Sequence, residues 1–189
     1  MAQQQKSQYL PPLPTRPGEN MKAKLLSSLL FAGVMVTKDG PRLVEYNARF
    51  GDPECQVLML RMMSDLVPAL VASRDGQLKN FDLRWYPDPA LTVVMAAKGY
   101  PGSYAKGTVI EGLDDAAQVE GVEIFHAGTK ADGGRILANG GRVLNVSAIA
   151  ATVTRAQVLA YQAIDRIKWP EGFCRRDIGW QAVKREQGG

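Results

Sequence analysis

From Leu91 to Ala150 no apolar run outlasts a β-strand before glycine, proline or a charged residue interrupts it. "LTVVMAA" stops at "KGYPG", and "TVI", "VEIF", "RILA" and "RVLNVSAIA" follow, each set off by turn residues. Runs this short cannot line a helical bundle; they predict short antiparallel strands joined by tight turns. The Asn-Gly-Gly step inside "ANGGR" (Ala138–Arg142) predicts a hairpin between its flanking strands. The period then lengthens. Thr152 or Thr154 opens a helix through about Ile167, with Val158, Tyr161, Ile164 and Ile167 on one stripe. The tail "WPEGFCRRDIGWQAVKREQ" is aromatic and charged, and is expected to wrap back over the core, with Arg176 and Asp177 as a simple ion pair.

Ahead of this unit the pattern differs. Residues 1–28 are rich in glutamine and proline without a period, and read as a flexible leader. An apolar run at Phe31–Thr37, the turn "KDG", and a second run at Leu43–Ala48 predict a β-hairpin. A helix then opens at "GDPE": Asp52 can cap, Pro53 suits the first helical position, and Glu54 favours the positive end of the dipole. Met59, Met62, Met63, Leu66 and Leu70 recur at helical spacing and are expected to be core, as methionines commonly are. Pro68 within this pattern predicts a break near Ser64–Asp65 and a second short helix to about Ser73. Residues 75–89 are polar and turn-rich, which suggests a division into 29–80 and 81–189.

Several function classes are excluded by composition. The net charge of +4 is spread without a run of like charges, so no nucleic-acid partner is expected. Two cysteines without paired spacing imply free thiols in a reducing compartment, and a single histidine excludes a zinc site built on imidazoles. The run at Met21–Thr37 imitates a secretory signal, but it is internal and interrupted by Ser27 and Ser28. It is also shorter than the ~20 residues a membrane span needs. No membrane partner and a cytoplasmic location are therefore expected.

The chemistry concentrates in "LVEYNARFGDPE", Leu43–Glu54. Alternation along a strand sends Glu45, Asn47 and Arg49 to one face, with Val44, Tyr46, Ala48 and Phe50 on the other. A glutamate carboxylate and an asparagine carbonyl two residues apart are hard oxygen donors able to reach one cation. Magnesium takes such ligands and leaves its remaining positions to waters and substrate phosphates. Arg49 is suited to hold a phosphate or carboxylate in bidentate fashion, and a helix opening at Pro53 adds backbone donors. The same pattern equally describes an amphipathic edge hairpin with its polar face in water. His126, Lys130 and Arg142 are further candidates. Each reads either as facing a cleft, with Lys130 or Arg142 on phosphate, or as structural: His126 hydrogen-bonded in the core, the other two solvated at turn edges.

"EYNARFGDPECQ" closely resembles the signature of the phosphoribosylamine–glycine ligases, ATP-grasp enzymes of purine synthesis. "VVMAAKGYPGSY", "IFHAGTK", "NGGRVLNVSA" and "FCRRDIGWQAV" resemble the same family in order, from about Leu30 to Gln187. The resemblance implies an α+β chain. It would be the C-terminal piece of an ATP-grasp subdomain, a hairpin plus helices, followed by a small β-rich, barrel-like domain with a helix. It implies ATP, glycine and phosphoribosylamine as substrates, with Mg or Mn held by Glu45 and Asn47. It further implies that Arg49 and Asp52 are catalytic, and that Arg49, Gly51, Asp52, Pro53, Glu54, Lys130 and Arg142 line the substrate pocket.

One departure matters. The family's phosphoribosyl-binding domain and the glycine-rich loop and lysines that hold ATP find no counterpart ahead of Leu30. The chain is therefore expected to be an incomplete portion, inactive alone, whose partner is the missing N-terminal part of the enzyme. An alternative is a non-catalytic subunit or interaction module that pairs with a separate ATP-binding chain.

Overall fold

The computed structural model describes residues 31–188. The leader expected at 1–28 lies outside the described residues.

Strand β8 (Arg142–Ile149) is the axis of the molecule. It pairs antiparallel with β3 (Ala90–Ala97) on one side and β5 (Val122–His126) on the other, and β9 (Gly172–Phe173) extends the sheet beyond β3. Val143 through Ala148 are all buried, as befits a strand covered on both faces. Helix α4 (Val153–Ile164) covers one face, with Ala156, Ala160, Ala163 and Ile164 buried against Leu91, Val93, Leu144 and Val146. Small residues on the inner stripe let the helix approach closely. Thr152 starts it, its hydroxyl accepting the Arg155 N–H at 3.1 Å, and it closes at Ile164 rather than running to Ile167.

A second sheet, β4 (Thr108–Ile110), β7 (Arg135–Ala138) and β6 (Thr129–Asp132), lies beside the first in the order β4–β7–β6. The short helix α3 (Leu113–Ala117) follows β4. The two sheets stay separate, so the expected barrel-like closure is not formed; the antiparallel α+β class is. The indole N–H of buried Trp169 donates to Thr108 Oγ1 at 2.9 Å, tying the segment after α4 to the smaller sheet.

The hairpin expected at Ala138–Arg142 does not form. Its flanking strands belong to different sheets, and the hairpin turn is instead Gly133–Gly134, both with positive φ, between β6 and β7. Asn-Gly-Gly serves close approach. A Cβ on Gly140 would lie 2.8 Å from Gly128 Cα, and one on Gly128 would lie 2.6 Å from the Arg142 carbonyl. Two backbones pass in contact here, and β8 begins where they do.

At the other end, β1 (Phe31–Thr37) and β2 (Gly40–Asn47) form the expected hairpin, with a register shift between Gly33 and Val34. Helix α1 (Glu54–Arg61) crosses the face of the main sheet opposite α4, against β8 and β3. Helix α2 (Leu66–Arg74) follows after the expected break, opened by Asp65, whose carboxylate accepts the Val67 N–H at 3.0 Å. Residues 82–86 run back along this region: Met62 bridges Trp85, and Met63 N–H donates to the Arg84 carbonyl at 3.0 Å. The methionine stripe is not core. Helix α1 has no buried residue, and Met35 and Met63 are exposed, whereas Met95 is buried. No described helix is long and apolar enough to cross a membrane.

The tail wraps back as expected, with different pairs. Arg175 pairs with Asp177 and Arg176 with Asp165, each at 2.7 Å, and the Arg176 guanidinium sits over the Tyr161 ring. Tyr161 Oη donates to the Arg175 carbonyl and accepts from Ile178 N–H. Helix α5 (Trp180–Glu186) brings Glu186 to the start of α4, where its carboxylate accepts the Val153 and Thr154 N–H groups at 2.7 and 2.9 Å. Side chain and backbone bonds to Thr154, then the bond from Val153 N–H, lower the Glu186 pKa below its usual 4.5. A carboxylate whose folded pKa is depressed contributes stability that is present above pH 4.5 and lost as pH falls through the folded value.

Glu186→Gln is therefore expected to lower the melting temperature at neutral pH, the deficit shrinking as the medium is acidified below the normal glutamate range. A pH series of thermal melts reads this. Leu144→Ala, which opens a void between β8 and α4, is expected to cost about 2–5 kcal/mol in a denaturant titration.

Candidate functional site

The end of β2 carries the first two site residues. Glu45 stands opposite Gly33 and Asn47 opposite Phe31 in unbroken register, so both side chains leave the same face. Among the described residues neither side chain has a hydrogen bond or ion pair. Among these residues the two hard oxygen donors leave one face of the strand without a competing partner, an arrangement suited to a divalent cation. No described group of three His, Cys, Asp or Glu exists that would cage a metal. Among the described residues a cation at Glu45 and Asn47 would find these two side chains alone, leaving positions open for water or phosphate.

The pleat that aligns Glu45 and Asn47 does not extend to Arg49. β2 ends at Asn47, opposite the first described residue of β1, and the chain bends at Ala48–Arg49. The Arg49 guanidinium turns along its own backbone and donates to the Phe50 carbonyl at 2.7 Å. The face expected to be filled by Val44 and Tyr46 is open: they are 63% and 53% exposed, and Val36 on the paired strand 73%. The hairpin pairs only with itself among the described residues, so there is no layer to bury that face against.

The Gly51–Glu54 turn follows. Gly51 is buried and its carbonyl accepts the Cys55 N–H at 2.9 Å, closing the first turn of α1. Asp52 does not cap; Pro53 holds the cap position and no side chain there accepts a backbone bond. The Glu54 carboxylate folds back over Gly51, on the side where a Cβ would stand. The Asp52 carboxylate instead meets Arg142 at 2.9 Å, and Arg142 also donates to the Asp52 carbonyl at 3.3 Å. Two residues singled out from the sequence, 90 positions apart, are thus brought together.

A bulge explains how Arg142 gets there. Asn145 pairs with Val94, but Arg142 pairs with Ala96, so a register shift at Val143 puts Arg142 and Asn145 on the same face, under α1. Lys130, on β6 opposite Leu137, is exposed, and its ammonium has no partner among the described residues. His126 is exposed rather than core, with Nδ1 at 3.1 Å from Thr129 Oγ1. Sequence reasoning missed Gln56 and Asn145. Gln56 Oε1 and both side-chain polar atoms of Asn145 are buried without a hydrogen-bond partner at the interface of α1 with the sheet. Only the polar residue within "RVLNVSA" hinted at this.

Known proteins resemble the chain in two blocks. Residues 18–55 match the family described as "Phosphoribosylglycinamide synthetase, ATP-grasp (A) domain", and residues 90–181 match its "C domain". The "Phosphoribosylamine--glycine ligase" of Mesorhizobium japonicum is 60% identical over 174 residues, 92% of this chain and 41% of that protein. The Arabidopsis thaliana protein "Phosphoribosylamine--glycine ligase, chloroplastic" is 50% identical over 163 residues, 84% of this chain and 31% of its own length. Among solved structures, the phosphoribosylamine–glycine ligase of Thermotoga maritima superposes with a TM-score of 0.66 at 32% identity, over 78% of this chain and 36% of that one. N5-carboxyaminoimidazole ribonucleotide synthetase from the same organism shares the fold, with a TM-score of 0.50 at 16% identity. The chain thus spans about 40% of the length of the curated bacterial relatives it matches.

Glu45 is exposed and Asn47 half-buried, and side chains of this kind with no partner among the described residues contribute little to folding. Glu45→Gln and Asn47→Ala are expected to change unfolding free energy by less than about 0.5 kcal/mol, checked by denaturant titration. A larger loss would give these two residues a structural role.

Proposed function

We propose that this chain, which belongs to the phosphoribosylamine–glycine ligase family, supplies the metal-bearing hairpin and the C-terminal domain of a complete ligase. The reaction joins ATP, glycine and phosphoribosylamine to give glycinamide ribonucleotide, ADP and phosphate. The glycine carboxylate takes the γ-phosphoryl group, releasing ADP. The ribosyl amine then attacks the acyl phosphate carbonyl and phosphate leaves.

Glu45 and Asn47 hold the cation, Mg or Mn, which when bound offsets phosphate charge. Their adjacent, unengaged oxygens are the observation that carries this reading. Arg49 is one residue beyond the bend, and its exposed guanidinium swings from Phe50 to the acyl phosphate as charge develops there. The Gly51–Glu54 turn lines the pocket for glycine or phosphoribosylamine, with Asp52 toward the amine or ribose. Lys130 and the guanidinium edge that Arg142 leaves free are cations for a substrate phosphate. No covalent nucleophile is needed; the residues position groups and neutralise charge. The compartment we propose is the cytoplasm, where free thiols such as Cys55 and Cys174 persist.

The partner is the N-terminal portion present in the longer relatives. The open hairpin supports this, since among the described residues the two-stranded ribbon has no paired outer edge and an exposed apolar face. The test is metal-dependent ADP formation with glycine and phosphoribosylamine, measured for this chain alone and with the N-terminal portion of a close relative added. Turnover is expected only in the mixture, and Glu45→Ala is expected to lower it by at least about a hundredfold. Robust turnover by this chain alone overturns the incomplete-site reading. Complex formation without turnover favours a non-catalytic interaction module.

A further inference from the structure

We propose that Arg142 and Asp52 form the joint by which the C-terminal domain sets the pose of the substrate turn, Arg142 acting as a positioning residue through Asp52. The functional meaning of this joint rests on the ligase reading of the turn; its existence does not. Among the described residues, the Arg142 bonds to Asp52 are the only hydrogen bonds or ion pairs between residues 31–61 and residues 90–188.

Other contacts between the two parts are loose. Helix α1 buries no residue completely. Beside its second half lies an open groove of about 420 Å³ between Met59, Leu60, Val122 and Phe125. Underneath it, Gln56 Oε1 and the Asn145 amide are unpartnered, so those amides do not fasten helix to sheet in protein–protein bonds.

The anchor itself is rigid. Arg142 begins β8 where the Gly128 and Gly140 backbones touch, and its carbonyl accepts the Gly128 N–H at 3.1 Å. Its guanidinium takes both the carboxylate and the carbonyl of Asp52, fixing backbone as well as side chain. The pair is 42% and 43% exposed. Each partner therefore keeps an open edge on which a ligand can be met while the joint is closed.

Hydrogen exchange on the 189-residue chain tests this without substrate or activity. In Arg142→Ala and the near-isosteric Asp52→Asn, amide exchange across residues 51–61 is expected to rise about fivefold, with β3, β8 and α4 unchanged. The charge swap Asp52→Arg with Arg142→Asp is expected to recover at least about half of the lost protection; a residue acting only through its own packing gives no such rescue. Exchange in 51–61 within about twofold of the parent, an equal rise in β3 and β8, or a swap no better than the single variants each overturns the joint. A failed reconstitution of activity with this exchange pattern intact instead overturns the ligase reading alone.

Discussion

Burial of β8 between two strands and beneath two helices is the constraint from which the rest follows. One face of the strand is apolar and closed by α4, through Leu144, Val146 and Ala148. The other carries Arg142, Asn145 and Ser147, the last donating to Thr92 Oγ1 at 2.7 Å. A strand of such mixed character can have only one orientation in its sheet, because a one-residue slip would turn Asn145 and Ser147 into the apolar layer under α4 and separate Ser147 from Thr92. The register shift at Val143 is the local exception, and it sends the single charged residue toward the substrate turn.

The molecule therefore has a firm half and an open half. The core residues run almost entirely from Leu91 to Trp169, while among the residues of β1, β2 and α1 whose burial is described none is buried, and only Gly51 in the turn between β2 and α1 is. That division follows the packing: the firm half has a sheet with a helix on each face, and among the described residues the open half has a two-stranded ribbon and a helix lying on the sheet. The residues assigned to metal and phosphate stand mostly in the open half, where preorganisation depends on what is packed against them.

Much of the architecture was legible because local rules and packing agree there. The first hairpin, the break before Leu66, the Thr152 cap and the antiparallel strands after Leu91 all follow from turn chemistry and period. The failures have physical reasons too. Asn-Gly-Gly looks the same whether glycine supplies a positive φ or makes room for a crossing backbone, and only the fold distinguishes the two. Alternation holds only to the last paired residue, Asn47, and does not carry to Arg49 beyond the bend. Val44 and Tyr46 have the composition of a core, yet among the described residues no further strand or helix covers them. Arg142 and Asp52 were each visible as polar residues in suggestive motifs. Their pairing was not, since the register shift that aims one at the other is invisible to residue spacing.

The crossing at Gly128 and Gly140 carries a consequence for evolution as well as for geometry. These two positions offer nothing to bind, to titrate or to pack, and yet a single methyl at either would push the origin of the central strand outward and carry the guanidinium off its mark. In this region aim is written in residues that lack side chains.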